Sequence, residues 1–166
     1  SSGLNYVQLS AKPTDSNLAG YWNFDEGSGS YAYDASGNGK TGALTNGPTW
    51  IAGKYGKALQ FDGVDDVVNI GNPSSLSGLS QITISAWIYP TGYPDGAASV
   101  VNKGDTGGRE YGCFAYSDGH IHWSTNGTTN WALDSPAGSF PSNTWTHMVV
   151  LYNGSAKKIF ANGVEV

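Results

Sequence analysis

Apolar residues along this chain recur at alternate positions in short runs, and Gly, Pro, Asn or Ser interrupts each window before a 3.6-residue apolar period develops. That pattern predicts strands. They fall at residues 18–24, 58–61, 66–70, 82–89, 99–102, 111–116, 120–125, 144–152 and 157–161. Between them stand Asn38-Gly39, Asn46-Gly47, Asp62-Gly63, Asp95-Gly96, Asp118-Gly119, Asn126-Gly127, Asn153-Gly154 and Asn162-Gly163, all suited to turn positions with positive φ. Short β-rich runs between recurring turns indicate an all-β sandwich or barrel. Residues 81–89 put Ile82, Ile84, Ala86 and Ile88 on one side and Thr83, Ser85, Trp87 and Tyr89 on the other, so the bulk on both faces predicts a central strand.

Two turns set testable registers. A two-residue loop at Asp118-Gly119 pairs Ser117 with His120, Tyr116 with Ile121, Ala115 with His122 and Phe114 with Trp123. It assigns Phe114, Tyr116, Ile121 and Trp123 to the core face, and Tyr111, Cys113, Ala115, His120 and His122 to the opposite one. The same logic at Asn162-Gly163 pairs Ala161 with Val164, Phe160 with Glu165 and Ile159 with Val166. That last strand leaves an edge to be filled, by strands of its own or by a neighbouring molecule. Residues 1–16 read as a polar arm ahead of a domain at 17–166, and the arm's run at residues 4–9 is long enough to donate a strand. Trp22, Trp87, Trp123 and Trp145 are assigned to the core, and His147, between Trp145 and Val149, to a buried face.

Composition narrows the function. Of 166 residues, 24 are Gly and only 13% are charged, while 39% are hydrophobic, which is too apolar for a disordered tract. Eight Lys and Arg against 13 Asp and Glu give a net charge of −5. With no basic stripe to neutralise phosphates, nucleic acid is excluded as a partner. No apolar run approaches the roughly 20 residues that span a bilayer, so membrane insertion is not expected. Low Lys and Glu with abundant Gly, Asn, Thr, Trp and Tyr fits a secreted β-protein. The single Cys113 makes no internal disulfide.

Three stretches carry a resemblance. Gly20-Tyr-Trp-Asn-Phe-Asp-Glu-Gly-Ser-Gly29, Asp34-Ala-Ser-Gly-Asn-Gly39 and Gly53-Lys-Tyr-Gly-Lys-Ala-Leu-Gln-Phe-Asp-Gly-Val-Asp-Asp66 resemble laminin-G-like, concanavalin A-like lectin/glucanase domains. Ile82-Thr-Ile-Ser-Ala-Trp-Ile-Tyr89, Trp145-Thr-His-Met-Val-Val150 and Ile159-Phe-Ala-Asn-Gly163 look like that family's central strands and late hairpin. The resemblance implies a two-sheet antiparallel jelly-roll sandwich lacking its own last strands. It further implies an extracellular or cell-surface role in binding, often of carbohydrate and often with a structural Ca2+, and it does not imply catalysis.

The candidate sites follow. Glycosidic cleavage needs an acid and a base flanking one bond, and the three glutamates, Glu26, Glu110 and Glu165, are widely separated. No nucleophile-elbow motif organises Ser, His and Asp. No catalytic residue is assigned. Asp34, Asn38 and the nearby Asp25 offer oxygen ligands in a Gly-broken loop, either for Ca2+ or for capping backbone N–H groups in an Asx-turn. His120 and His122 share a face with Tyr111 by the register above, where they chelate a transition metal, stack on a sugar or form a solvated polar face. Trp50, Tyr93 and Trp131 fall in loops that do not demand a large aromatic, and Trp131 is the candidate platform for a pyranose. Asn126-Gly-Thr128 and Asn153-Gly-Ser155 match the N-glycosylation pattern. The expectation is a non-catalytic extracellular module that binds glycan or a surface protein through Trp131, Tyr111, His120 and His122. The alternative is a structural subunit of a surface assembly or filament, self-associating through open sheet edges.

Overall fold

A computed structural model describes residues 16–92, 96–104, 108–126 and 131–166. The expected arm lies outside them apart from Ser16, as do Tyr93 and residues 127 and 128 of the first glycosylation pattern. Among the described residues the structure is all-β and antiparallel, with one 3-10 turn at Ser74–Leu76 and no α-helix. The described residues divide into two compact units, the first ending at Leu76 and the second running from Ser77 to Val166.

In the first unit the strands are β1 (Tyr31–Ala32), β2 (Gly42–Thr45), β3 (Thr49–Ala52), β4 (Lys57–Gln60) and β5 (Val67–Asn69). They form a three-stranded sheet in the order β1-β2-β5 and a separate β3-β4 hairpin. The strand expected at residues 18–24 is absent for a local reason. Tyr21 donates its N–H to the Asp34 carboxylate (3.0 Å) and accepts from the Ala35 N–H (2.7 Å), while Phe24 turns left-handed at φ 57°. A left-handed residue ends an extended run. Trp50, expected in a loop, lies in β3 opposite Leu59, its indole N–H bonded to the Gly29 carbonyl at 2.9 Å.

The second unit holds β6 (Ile82–Ile88), β7 (Ala97–Lys103), β8 (Tyr111–Tyr116), β9 (Ile121–Thr125), β10 (Ala132–Asp134), β11 (Thr146–Tyr152), β12 (Lys157–Ala161) and β13 (Val164–Glu165). Two four-stranded sheets result, in the orders β10-β9-β8-β7 and β13-β12-β11-β6. Among the described residues β6 pairs with β11 alone, so it is an edge strand rather than the central one expected. Its outward Thr83, Ser85 and Trp87 are exposed, which means that bulk on that face does not signal a second buried side.

The sheets pack face to face. Cys113, Ala115, Ile121 and Trp123 on one side meet Met148, Val150 and Ile159 on the other, with Tyr111 and Phe140 in the same core. Two contacts tie the layers: the Cys113 thiol lies 3.4 Å from the Met148 sulfur, and the Trp123 indole N–H donates to the Leu151 carbonyl at 3.0 Å. Burial pushes the Cys113 thiol up to about 12. A bulge between Ser99 and Val101 lets consecutive Val100 and Val101 both pack against the core. At the last hairpin Ala161 faces Val164 and Phe160 faces Glu165, the expected register, closed by Asn162 and Gly163 at φ 51° and 84°.

Trp123 is the largest fully buried side chain, so Trp123→Ala is expected to cost about 3–5 kcal/mol in denaturant unfolding. Trp123→Phe, which keeps most of the ring but leaves the Leu151 carbonyl without its donor, costs about 1–3 kcal/mol. An unchanged midpoint in Trp123→Ala refutes this account of the core.

Candidate ligand-binding face

The hairpin joining β8 to β9 decides which residues reach the surface. Its loop has three residues, Ser117, Asp118 and Gly119, because the Tyr116 N–H bonds to the His120 carbonyl at 3.0 Å and Gly119 takes φ 77°. Three-residue hairpin loops of this kind place glycine at the left-handed position. Ala115 therefore faces Ile121, Phe114 faces His122 and Cys113 faces Trp123, one residue away from the register expected of a two-residue loop. A one-residue slip exchanges the faces of a strand. Tyr111, Cys113 and Ala115 turn into the core, and Phe114 and Tyr116 come out beside His120 and His122.

Tyr111 is thereby separated from the two histidines. It is 7% exposed, and burial together with the neighbouring Glu110 carboxylate raises its phenol above the usual tyrosine value. Trp131 does join them. The residue is 57% exposed, and its ring lies 5.4 Å from that of His122, tilted by 60°. Tyr116 stacks on His120 with centroids 4.5 Å apart and planes within 8°, and meets His122 at 6.1 Å, edge to face. The Arg109 guanidinium covers the Phe114 ring at 4.5 Å, in space that a side chain at Gly112 would fill.

Each histidine has its own carboxylate. His120 Nδ1 lies 2.6 Å from Asp118 Oδ1, which also accepts the His120 N–H at 3.1 Å, and these bonds hold the Asp118 carboxyl below its usual range. His122 Nδ1 lies 2.6 Å from Asp134 Oδ1. Pairing of β10 with β9 sets Asp134 directly opposite His122. Reading the sequence missed Asp134, Phe114 and Tyr116 as members of this face. One face of one sheet thus carries aromatic rings, two imidazole–carboxylate pairs and a guanidinium, a set that can stack on a flat C–H surface and bond the hydroxyls around its rim.

The second sheet carries a smaller cluster on its outward side. His147, expected in the core, is half-buried there, sharing a 2.8 Å hydrogen bond with Ser85 and lying 5.2 Å from the Trp87 ring. Trp87 is 38% exposed, and Trp145 packs on Tyr89 at 5.3 Å. Of the four tryptophans assigned to the core, Trp123 alone is fully buried.

In the first unit Asp34 organises a loop. Its Oδ1 accepts the N–H groups of Tyr21 and Ser36, its Oδ2 that of Lys40, and the Asn38 amide donates to the Leu18 carbonyl at 2.8 Å. Asp25 Oδ1 accepts the Lys57 N–H at 3.0 Å. Partial burial would raise the Asp34 carboxyl, but the Ser36 side chain and the Lys40, Tyr21 and Ser36 N–H groups outweigh it and bring the value down to about 2. A different trio, Asp62, Asp65 and Asp66, brings carboxylate oxygens within 4.8 Å of one another. Asp66 Oδ1 is buried there without a hydrogen-bond partner among the described residues, a donor set suited to a hard cation.

Comparison with known proteins adds three findings. The family model described as the Concanavalin A-like lectin/glucanases superfamily matches residues 61–166. No curated protein matches the chain. The crystal structure of an S-layer domain-containing protein (residues 221–444) from Clostridium thermocellum ATCC 27405 shares the fold, with TM-score 0.57 and 24% identity over 89% of this chain and 70% of that one.

Asp34 yields a pH dependence with a definite sign. Its folded value lies below the ordinary 3.8, so its stabilisation is complete above that value and is lost as pH falls through it toward about 2. The gap in stability between wild type and Asp34→Asn should be on the order of 1 kcal/mol at neutral pH, allowing for solvent screening, and should close on acidification. A gap that is constant from neutral pH to pH 2 contradicts the assignment.

Proposed function

Because the chain belongs to the concanavalin A-like lectin/glucanase superfamily, we propose that it is a non-catalytic extracellular recognition module that binds carbohydrate on the outward face of β8, β9 and β10. The observation that carries this reading is the continuous array of Tyr116, His120, His122 and the exposed Trp131. A pyranose offers an apolar C–H face for the indole and hydroxyls for the imidazole–carboxylate pairs. Both carboxylates on this face are bonded to histidines, which supports binding over acid–base cleavage. A cell-surface location belongs to the same proposal, supported by the fold shared with an S-layer domain-containing protein. No helix among the described residues is long and apolar enough to cross a membrane.

The family often holds a structural Ca2+, and the oxygens of Asp62, Asp65 and Asp66 fit such an ion, which would offset their mutual repulsion. Asp25, Asp34 and Asn38 are the second candidate set, with donors already bonded to the Asp25 and Asp34 carboxylates.

Two experiments test the proposal. A glycan array followed by calorimetry should identify a ligand whose affinity falls by roughly 1–3 kcal/mol in Trp131→Ala, by analogy with ring stacking on bases, and is unchanged in Trp87→Ala on the other sheet. Absence of glycan binding even at millimolar sugar, together with concentration-dependent assembly in light scattering, favours a structural subunit of a surface assembly. For the ion, the melting temperature should rise with Ca2+ over chelator, and Asp66→Asn should remove that response. If Asp34→Asn removes it instead, the ion belongs to the loop at residues 34–39.

A further inference from the structure

We propose that His120 and His122 form a binding site for a transition-metal ion of the Zn2+ class, a site that goes beyond the glycan reading and does not depend on it. The two residues alternate with the fully buried Ile121 and Trp123, so both imidazoles leave the sheet on the same side. Each ring has its Nδ1 at 2.6 Å from a carboxylate, Asp118 for His120 and Asp134 for His122. In a neutral imidazole so placed, Nδ1 carries the proton and donates it, which leaves the lone pair on Nε2. Neither Nε2 has a hydrogen-bond partner among the described residues.

A histidine whose Nδ1–H is held by a carboxylate is oriented and made more basic for binding metal through its other nitrogen. Here that arrangement occurs twice, on neighbouring side chains of one rigid strand end. Side chains two apart on a strand stand about 7 Å apart, and one ion with Zn–N bonds of about 2 Å joins the rings when they lean together. Aromatic rings flank the pair. Tyr116 lies flat on His120, and Phe114 and Trp131 flank His122 at 6.3 and 5.4 Å. Of the charges around the pair, the two carboxylates outweigh the single Arg109 guanidinium, which sits over Phe114. Two imidazoles select a borderline-soft ion over Ca2+, which prefers oxygen donors. The remaining coordination positions are left to water or to oxygen groups of whatever occupies the face.

The test uses the whole chain with Zn2+ alone and no sugar. Calorimetry should give saturable binding of one ion that excess Ca2+ does not displace. His120→Gln and His122→Gln should each weaken it at least tenfold, and Asp118→Asn and Asp134→Asn by about tenfold, the usual effect of removing a carboxylate behind a ligating histidine. His147→Gln, on the other sheet, should leave it unchanged. On the wild-type chain, which removes any question of misfolded variants, Zn2+ should shift the imidazole NMR signals of His120 and His122 and leave those of His147 in place. Absence of saturable binding, shifts confined to His147, or full affinity in both His120→Gln and His122→Gln would overturn the proposal.

Discussion

The register between β8 and β9 is the constraint on which the second unit depends. Its three-residue loop turns the small side chains of Cys113 and Ala115 inward, where they leave room for Trp123, Phe140 and Met148 to fill the space between the sheets. The other register would bury Phe114 and Tyr116 there and expel the small residues. Overfilling a packed core strains it. The loop is also an anchor. The Asp118 carbonyl accepts the Gly138 N–H at 2.8 Å and the Gly119 carbonyl accepts the Phe140 N–H at 2.9 Å, so the connection from β10 to β11 is pinned to the same turn. Phe140 reaches the core from that connection and is fully buried.

One choice therefore serves both faces of a sheet. Inside, it determines how the layers interlock; outside, it gathers rings and imidazoles that are dispersed in the sequence. The carboxylates arrive by two routes, Asp118 from the turn itself and Asp134 from the pairing of β10 with β9. The first unit works differently. Its acidic side chains serve its own backbone, with Asp34 gathering N–H groups from residues 21, 36 and 40 into one loop.

The all-β class and most strands of the second unit were legible from alternation and turn residues; those left sandwich and barrel open, and the two-sheet antiparallel sandwich came from the family resemblance. The two hairpins show where legibility ends. Asn162 adopts a left-handed conformation itself and closes a two-residue turn, so counting back from Asn-Gly yields the true pairs. Asp118 instead spends its carboxylate on the N–H and ring of His120, which favours the longer loop and slips the register. Dipeptides of similar turn propensity thus lead to opposite faces, and Tyr111 was assigned to the wrong one for that reason. The His120 and His122 pair was visible because residues two apart share a face in any register. Asp134 was not, since a three-residue strand such as β10 carries too few positions for alternation to reveal it. At residues 18–24 the alternation was present, but side-chain acceptors at Asp34 and the left-handed Phe24 replaced the sheet ladder.

Cys113 gives the chain a built-in reporter. The thiol is fully buried against Met148 and holds its proton at any ordinary pH, so alkylating reagents that need a thiolate find nothing to attack while the sheets stay together. Labelling can proceed only when the layers part and the sulfur meets water. Because there is one cysteine in the sequence, each modified molecule records one such opening, and the rate of modification in native buffer times the separation of the sheets without any engineered probe.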